Sequence, residues 1–219
     1  MKKKIALVTG GAGFIGSHLV DLLIKKKFHV RVIDNFSGGR KSNLLKHKKN
    51  PKLQIFNKDI KKINGSEKFF ENLDYIFHFA GKGDIVPSID NPEDYFSTNV
   101  DGTLKILIGT KKSPKLKKLI YAASSSCYGL AKVPTNEKHT INPEYPYALS
   151  KYMGEMLCHH WLKVYGTPVN SIRIFNAYGP RVKTTGVYGA VFGVFLSKNY
   201  LTNHLQLLEM ETKKEISYM

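Results

Sequence analysis

A tyrosine and a lysine four residues apart form the pair of side chains in this sequence that is best suited to chemistry. Tyr147 and Lys151 stand in the segment PYALSKY. On a helix this spacing brings a phenol and an ammonium to one face, one turn apart. A free phenol has a pKa near ~10, and a nearby cation lowers that pKa because it favours the phenolate. The pair is therefore expected to move a proton at neutral pH, as a general acid or base must.

A run of three serines upstream strengthens this interpretation. Taken alone, a Tyr-x-x-x-Lys spacing is more simply explained as a core aromatic residue beside a surface lysine. Here Ser124 follows an apolar segment that is predicted to be a strand, so a hydroxyl, a phenol and an ammonium can converge on one site. Cys127, which follows the serines, is predicted to be a small buried residue rather than a nucleophile.

Segments with strand and helix patterns alternate along the chain and must position these residues. Strands are predicted at residues 5–9, 29–34, 53–57, 75–80, 119–123 and 169–175, and helices at 14–27, 66–73, 91–110 and 147–164. Alternation of this kind predicts an α/β fold, a doubly wound parallel sheet of the Rossmann type. In such a sheet, ligands bind beyond the carboxyl ends of the strands.

A glycine-rich turn between the first strand and the first helix predicts a dinucleotide site. Gly10 permits a tight turn, Gly13 lets the backbone approach a pyrophosphate at the helix N-terminus, and Gly16 allows the helix to pack closely on the strand. Asp34 ends the second strand, where an acid can accept hydrogen bonds from a ribose and disfavours a 2′-phosphate. NAD is therefore expected rather than NADP, and the alternative is an ordinary turn followed by a strand-end aspartate.

Composition narrows the class of protein. The 219 residues include 34 Lys+Arg against 17 Asp+Glu, for a net charge of +17, but the lysines are dispersed. They indicate a solvated surface more readily than a nucleic-acid site. No apolar run approaches a membrane span, the apolar stretch after the N-terminal lysines is too short for a signal peptide, and two cysteines give no disulfide framework. We expect a cytoplasmic protein with no nucleic-acid or membrane partner and no bound metal.

Taken together, these motifs resemble the extended short-chain dehydrogenase/reductase family, and specifically its NAD-dependent nucleotide-sugar epimerases and dehydratases, such as the UDP-glucose 4-epimerases. The resemblance runs from Lys4 to about Leu201 and is carried by TGGAGFIG, Asp34-Asn35, HFAG, the serine run, Tyr147-x-x-x-Lys151 and RIFNAYGPR. It implies that NAD is held by residues at the strand ends and on the active-site helix: Gly10, Gly13, Phe14, Ile15, Gly16, Asp34, Asn35, Asp59, Ile60, Phe79, Ala80, Gly81, Asn99, Tyr147 and Lys151.

The resemblance also assigns roles. Ser124 would hold the reacting sugar hydroxyl, Tyr147 would take its proton, and Lys151 would keep Tyr147 acidic, while Ser125, Ser126 and Asn176 would bind the substrate. Related dehydratases and decarboxylases usually carry an acid just after the catalytic serine or threonine. Ser125 and Ser126 cannot act as acids, which favours 4-epimerisation of a UDP-hexose through a transient 4-keto-sugar. A dehydratase or reductase, and a non-catalytic NAD-binding product, remain the alternatives.

The last segment of the chain departs from the family pattern. Residues 203–219 fit nothing expected there, but their codons, read two bases out of register, can encode PLTIVGDGNQKRDFIYV. We therefore expect an NAD-binding domain at 1–180, the start of a substrate-binding region at 181–202, and a frameshifted tail at 203–219, with most of the small C-terminal substrate domain missing. The resemblance further implies a homodimer formed by the helices that begin near Glu93 and Tyr147.

Overall fold

The computed structural model describes residues 3–182, which form a sheet of six parallel strands with helices on both faces. The strands lie in the order β3-β2-β1-β4-β5-β6. Their bounds are Ile5–Thr9 (β1), His29–Asp34 (β2), Leu53–Asn57 (β3), Tyr75–His78 (β4), Lys118–Ser124 (β5) and Val169–Ile174 (β6). The predicted α/β doubly wound fold is thus confirmed. Of the predicted substrate-binding region 181–202, residues 183–202 lie outside the described residues, as does the tail 203–219.

Within the described range there are five α-helices: α1 (Phe14–Lys25), α2 (Val86–Asp90), α3 (Pro92–Phe96), α4 (Gly102–Gly109) and α5 (Pro146–Tyr165). The single helix predicted at 91–110 is divided into α3 and α4 by a π-helical turn at Ser97–Asp101. Within residues 3–182, no helix is long and apolar enough to cross a membrane.

The helix predicted at 66–73 is wrong. Only a single turn of 3₁₀ helix forms there, at Lys68–Phe70. The backbone amide and the hydroxyl of Ser66 both bond to Oδ1 of Asn64, so the serine closes a local turn instead of capping a helix.

Two hydrophobic clusters fill the space between the sheet and its helices. Alternate residues of β1 point to opposite faces, as the pleat requires. Val8 packs with Val20 of α1 in one cluster, whereas Leu7 belongs to the other cluster, together with Ile106 of α4 and Trp161 of α5. Both faces of the sheet are therefore covered, which leaves its ends for a ligand.

The order of the strands creates the crevice in which such a ligand can bind. β1 pairs with β2 on one side and with β4 on the other, so the chain leaves β1 and β4 in opposite directions. This is a topological switch point, the usual location of ligand sites in open α/β sheets.

Helix α5 lies very close to its neighbours at Gly154. A Cβ atom at this position would be 2.3 Å from the Tyr121 hydroxyl oxygen and 2.8 Å from the backbone oxygen of Asn99. A glycine normally weakens a helix interior by about 1 kcal/mol relative to alanine. Here the absence of a side chain lets α5 approach β5 and the π-helical turn, and so brings the active-site residues to the sheet.

Gly154→Ala is accordingly expected to destabilise the protein by about 1–3 kcal/mol, although alanine is the better helix former, because the added methyl would overlap backbone atoms. Urea denaturation measures the change. Lys163→Ala, an exposed position on the same helix, is the control and should change stability by less than about 0.5 kcal/mol. A stabilised Gly154→Ala variant would contradict the packing described here.

Candidate active site

Ser124 and Tyr147 meet at the end of β5. Ser124 is the last residue of that strand, and Tyr147 lies in the first turn of α5, after Pro146. The Tyr147 phenol donates a hydrogen bond of 3.0 Å to the Ser124 hydroxyl, which also accepts one of 3.2 Å from the amide of Ser126. With both acceptor positions of Ser124 used, its own proton can be donated to a ligand.

Lys151 lies one turn along α5 and is buried, with 7% of its surface exposed. Its ammonium nitrogen is 4.6 Å from the centroid of the Tyr121 ring, a cation–π contact. Burial penalises the charged form and lowers the pKa of Lys151 from 10.5 to about 8. The lysine thus sits close to its protonation equilibrium at physiological pH.

The expectation that Lys151 keeps Tyr147 acidic is wrong for this structure. The pKa of Tyr147 is raised, because burial disfavours the phenolate more than the bond to Ser124 favours it. The charge of Asp84 raises it further. A spacing of four residues ensures proximity on the helix, but the Lys151 ammonium lies against Tyr121.

Asp84 is a residue of the site that sequence reasoning did not single out. It belongs to the segment 82–88, which follows β4. In this segment Ser88 accepts a hydrogen bond of 3.1 Å from the amide of Tyr147, and the nearby Tyr95 ring stands edge-on to the Tyr147 ring. Burial, followed by the charge of Asp84, raises the pKa of Tyr95, whereas a hydrogen bond between the Tyr95 phenol and the Asp84 backbone opposes this rise. The sequence signal that could have identified Asp84 is its place in the Gly-Lys-Gly-Asp segment that follows the predicted strand at 75–80.

The glycine-rich turn has the shape that a pyrophosphate requires. A Cβ at Gly16 would lie 2.1 Å from the Gly10 oxygen, and one at Gly10, where φ is +68°, would lie 2.8 Å from the amide nitrogen of Ala80. The helix α1 that follows has no side-chain cap and no acid in its first turn. Its N-terminal amides therefore suit an anionic ligand.

Hydrogen bonds tie the acids at the strand ends to neighbouring loops. Both carboxylate oxygens of Asp34 accept bonds of 2.8 Å, one from the amide of Ala12 and one from that of Phe36. Asn35 donates to Asp59 at 3.1 Å, which brings the ends of β2 and β3 together. The side chain of Ile60 is buried in the core, so a cofactor contact there would have to come from its backbone.

Asn99, which the family resemblance placed among the residues that hold NAD, is buried between α5 and the turn after β4. Its side chain accepts a bond of 2.8 Å from the Lys82 amide and donates to the Lys82 carbonyl at 3.1 Å and to the Ser150 hydroxyl at 3.0 Å. A Cβ at Gly81 would lie 2.9 Å from Asn99 Oδ1 and 3.4 Å from Lys151 Nζ. Gly81 therefore lies beside Lys151 of α5. That Phe79, Ala80 and Gly81 line the cofactor stays a prediction.

The predicted substrate residues lie at the same edge of the sheet. Ser125 and Ser126 are partly buried beside Ser124, and Asn176 is exposed just beyond β6.

A hydrogen-bond network that sequence reasoning missed lies next to these residues. Arg173 of β6 forms two bonds to the buried carboxylate of Glu155, of 3.1 Å and 3.0 Å, and donates to the Tyr128 hydroxyl at 2.7 Å. Cys127 is buried and its pKa is raised by burial, in agreement with its predicted inert role.

A family model described as the NAD dependent epimerase/dehydratase family matches residues 6–212. The chain belongs to this family. The match covers every site residue described above and ends within the segment 203–219 that was predicted to depart from the family pattern. NAD is the cofactor of the family, and the glycine turn and the strand-end acids fit it.

Curated relatives and solved structures carry several related activities. A "Putative UDP-glucose 4-epimerase" of Methanocaldococcus jannaschii is 38% identical over 88% of this chain, and a UDP-N-acetyl-alpha-D-glucosaminuronate decarboxylase of Bacillus cytotoxicus is 34% identical over 89%. The structure of a UDP-N-acetylglucosamine 4-epimerase from Methanobrevibacter ruminantium aligns over 93% of the chain with a TM-score of 0.85 and 36% identity. The chain spans 62%, 60% and 64% of the lengths of these three proteins.

Among residues 3–182, no group of three or more histidines, cysteines and acids is arranged to hold a metal ion. Hydrogen-bond networks around Asn99 and Arg173 connect α5 with the loop after β4 and with β6.

Burial of the Lys151 ammonium carries a cost that a substitution should reveal. The folded-state pKa of about 8 lies below 10.5, so the unfolded chain binds more protons between these values and stability rises as the pH increases through that window. Lys151→Met, measured without cofactor by chemical denaturation, should stabilise the protein near neutral pH, by on the order of 3 kcal/mol at most. The gain should shrink near pH ~10, where the wild-type lysine is neutral when folded.

Lys163→Met is the matched control, since Lys163 is exposed on the same helix. It should change stability little at either pH. A Lys151→Met variant that is less stable than wild type near neutral pH would show that the buried lysine contributes to the stability of the fold.

Proposed function

We propose that this protein provides the cofactor-binding and catalytic part of an NAD-dependent 4-epimerase that acts on a UDP-hexose. The relatives include both UDP-sugar epimerases and decarboxylases, so the choice among these reactions depends on the site. The proposal of an epimerase is supported above all by the contact between Ser124 and Tyr147. The two residues that follow Ser124 are serines rather than acids.

Each residue of the site then has a defined task. Ser124 donates its free proton to the reacting sugar hydroxyl and orients it. Tyr147 must first lose its own proton, and its phenolate then accepts the proton of that hydroxyl. NAD, when bound, supplies a reversible hydride acceptor. Lys151 orients the cofactor ribose beside Tyr147, and its pKa of about 8 allows it to exchange a proton at neutral pH.

The charge of Asp84 supports a neutral hexose as substrate in preference to a uronic acid. The Asp84 carboxylate is close enough to raise the pKa of Tyr147. It would therefore repel the carboxylate of a uronic acid bound in the same site. A decarboxylase must accept a substrate that carries a carboxylate. The position of Asp84 therefore favours epimerisation over decarboxylation.

The two alternatives differ from this proposal in their products. A dehydratase or reductase would release a dehydrated or reduced sugar, and a non-catalytic product would bind NAD without turnover. An acid that directly follows the catalytic serine would favour elimination, but Ser125 and Ser126 are hydroxyls. Asp84 is the acid whose charge acts on Tyr147, but it lies in the loop after β4 and not after the catalytic serine. A substitution of Asp84 is therefore part of the test below.

The decisive assay joins this chain to the C-terminal region of a relative and supplies UDP-glucose, UDP-N-acetylglucosamine or UDP-glucuronate in heavy water. A 4-epimerase should give the 4-epimer with its C4 hydrogen retained and without net NADH, because that hydrogen never exchanges with solvent. Tyr147→Phe should reduce turnover by about 10²–10⁴-fold, since it removes the proton acceptor. Nuclear magnetic resonance of the products and absorbance of NADH provide the measurements.

Asp84→Asn should increase the turnover of UDP-glucuronate relative to UDP-glucose. This variant removes only the charge at position 84, since it keeps the shape of the side chain and leaves Ser124, Tyr147 and Lys151 in place. Solvent deuterium in the sugar ring, release of carbon dioxide, or a net gain of NADH would contradict 4-epimerisation and support one of the alternative reactions. Cofactor binding with no product from any of the three sugars would support the non-catalytic alternative.

We also propose a cytoplasmic homodimer in which α3 and α5 form the contact surface. Leu149, Met153 and Met156 on α5 are exposed apolar residues, which suits a surface that another copy covers. Light scattering should give the mass of a dimer for wild type, and Met153→Glu together with Met156→Glu should shift it toward the monomer. A monomeric wild-type protein would overturn this part of the proposal.

A further inference from the structure

His78, the last residue of β4, is buried with 1% of its surface exposed, and nothing in the proposed chemistry uses it. Both of its ring nitrogens are nevertheless bonded. Nδ1 lies 2.7 Å from the hydroxyl of Thr9 at the end of β1, and Nε2 lies 2.9 Å from the hydroxyl of Thr103 on α4. The ring thus connects the strand that leads into the glycine turn with the helix that follows the π-helical turn.

The neighbouring groups determine the direction of these bonds. The Thr103 hydroxyl lies 2.6 Å from the carbonyl oxygen of Asn99, which can only accept, so Thr103 donates there and must accept from Nε2–H of His78. On the other side, the Thr9 hydroxyl accepts from the amide of Ala80 at 3.1 Å and so can donate to Nδ1. Only the neutral tautomer that carries its proton on Nε2 satisfies both threonines.

The electrostatic environment agrees with this neutral form. Burial, followed by the positive charge of Lys151, lowers the pKa of His78 from 6.5 to about 3. The ring is therefore uncharged at neutral pH, and the hydrogen bonds alone determine which nitrogen carries the proton.

The chain of hydrogen bonds continues from Asn99 to the catalytic helix. The Asn99 side chain donates to Ser150 at 3.0 Å, and the Ser150 hydroxyl donates to the carbonyl oxygen of Tyr147 at 2.9 Å. Thr9, His78, Thr103, Asn99 and Ser150 are all buried. They are thus shielded from water, which would otherwise compete for the same hydrogen bonds.

We propose that His78 is a positioning residue, which through this relay holds the cofactor-binding backbone at Gly10 and Ala80 in register with the helix that carries Tyr147 and Lys151. One end of the relay is the backbone that approaches the cofactor, and the other is the first turn of α5. The inference rests on the use of NAD by the family and not on the identity of the sugar.

The geometry at the cofactor end leaves little tolerance. The backbones of Gly10 and Ala80 are so close that a single added Cβ would lie 2.8 Å from the Ala80 nitrogen. Loss of the relay would let β1, β4 and α5 shift relative to one another. Displacements of this kind reduce binding and reactivity even when every contacting residue remains.

The test breaks the relay at Thr103, on the side of His78 away from the cofactor turn. Thr103→Val should weaken NADH binding by about tenfold, measured by calorimetry on the whole chain, as expected for a residue in a coupling network. Thr103→Ser, which keeps the hydroxyl, should restore the affinity. Thr110→Val is the matched control, because Thr110 is a buried threonine whose hydroxyl also donates to a carbonyl at 2.6 Å, that of Leu107, but lies outside the relay.

A spectroscopic measurement on the unsubstituted protein tests the same inference without any variant. The ¹⁵N spectrum of His78 should show a protonated Nε2 and an unprotonated Nδ1, and Thr103→Val should change this distribution, whereas Thr110→Val should not. The proposal is overturned if His78 in wild type carries its proton on Nδ1. It is equally overturned if Thr103→Val and Thr110→Val bind NADH with the same affinity.

Discussion

The buried ammonium of Lys151 is the constraint on which the rest of the site depends. Within the described residues it forms no ion pair with a carboxylate, and its principal contact is the ring of Tyr121. An uncompensated charge in the interior is costly unless its surroundings are organised around it. Around this lysine, Tyr121 donates at 3.1 Å to the Lys151 carbonyl, and the glycine at position 154 lets α5 approach the Tyr121 hydroxyl closely.

The sheet supplies the second condition, since it brings distant parts of the chain to one edge. Thr9, Asp34, His78 and Ser124 are the last residues of four different strands. In a parallel sheet their carboxyl ends point the same way, so residues distant in sequence become neighbours, as Thr9 and His78 do although they are 69 positions apart. Buried polar networks then fix their relative positions, and a fully satisfied network in a low-dielectric interior specifies one arrangement.

Much of this arrangement could be predicted from the sequence. The six strands and the convergence of Ser124 and Tyr147 follow from apolar periodicity and from motifs with a clear physical role. The divided helix around Ser97–Asp101 and the turn at Ser66 could not be predicted, because each depends on local hydrogen bonds that compete with a regular helix. His78 illustrates the same limit, since nothing in its sequence neighbourhood indicates that two threonines will enclose its ring.

The acidity of Tyr147 shows why a motif can specify proximity without specifying chemistry. The four-residue spacing correctly predicts that the phenol and the ammonium share one helix, but the pKa of each depends on its burial, which spacing does not determine. Burial shifts the two groups in opposite directions: the pKa of the phenol rises and that of the ammonium falls, because both charged forms lose hydration. The same enclosure that keeps water from the reacting groups therefore also holds the tyrosine in its protonated form. Among the described residues, no cation lowers the pKa of Tyr147. The proton transfer proposed for this residue needs the phenolate, which is the form that burial disfavours.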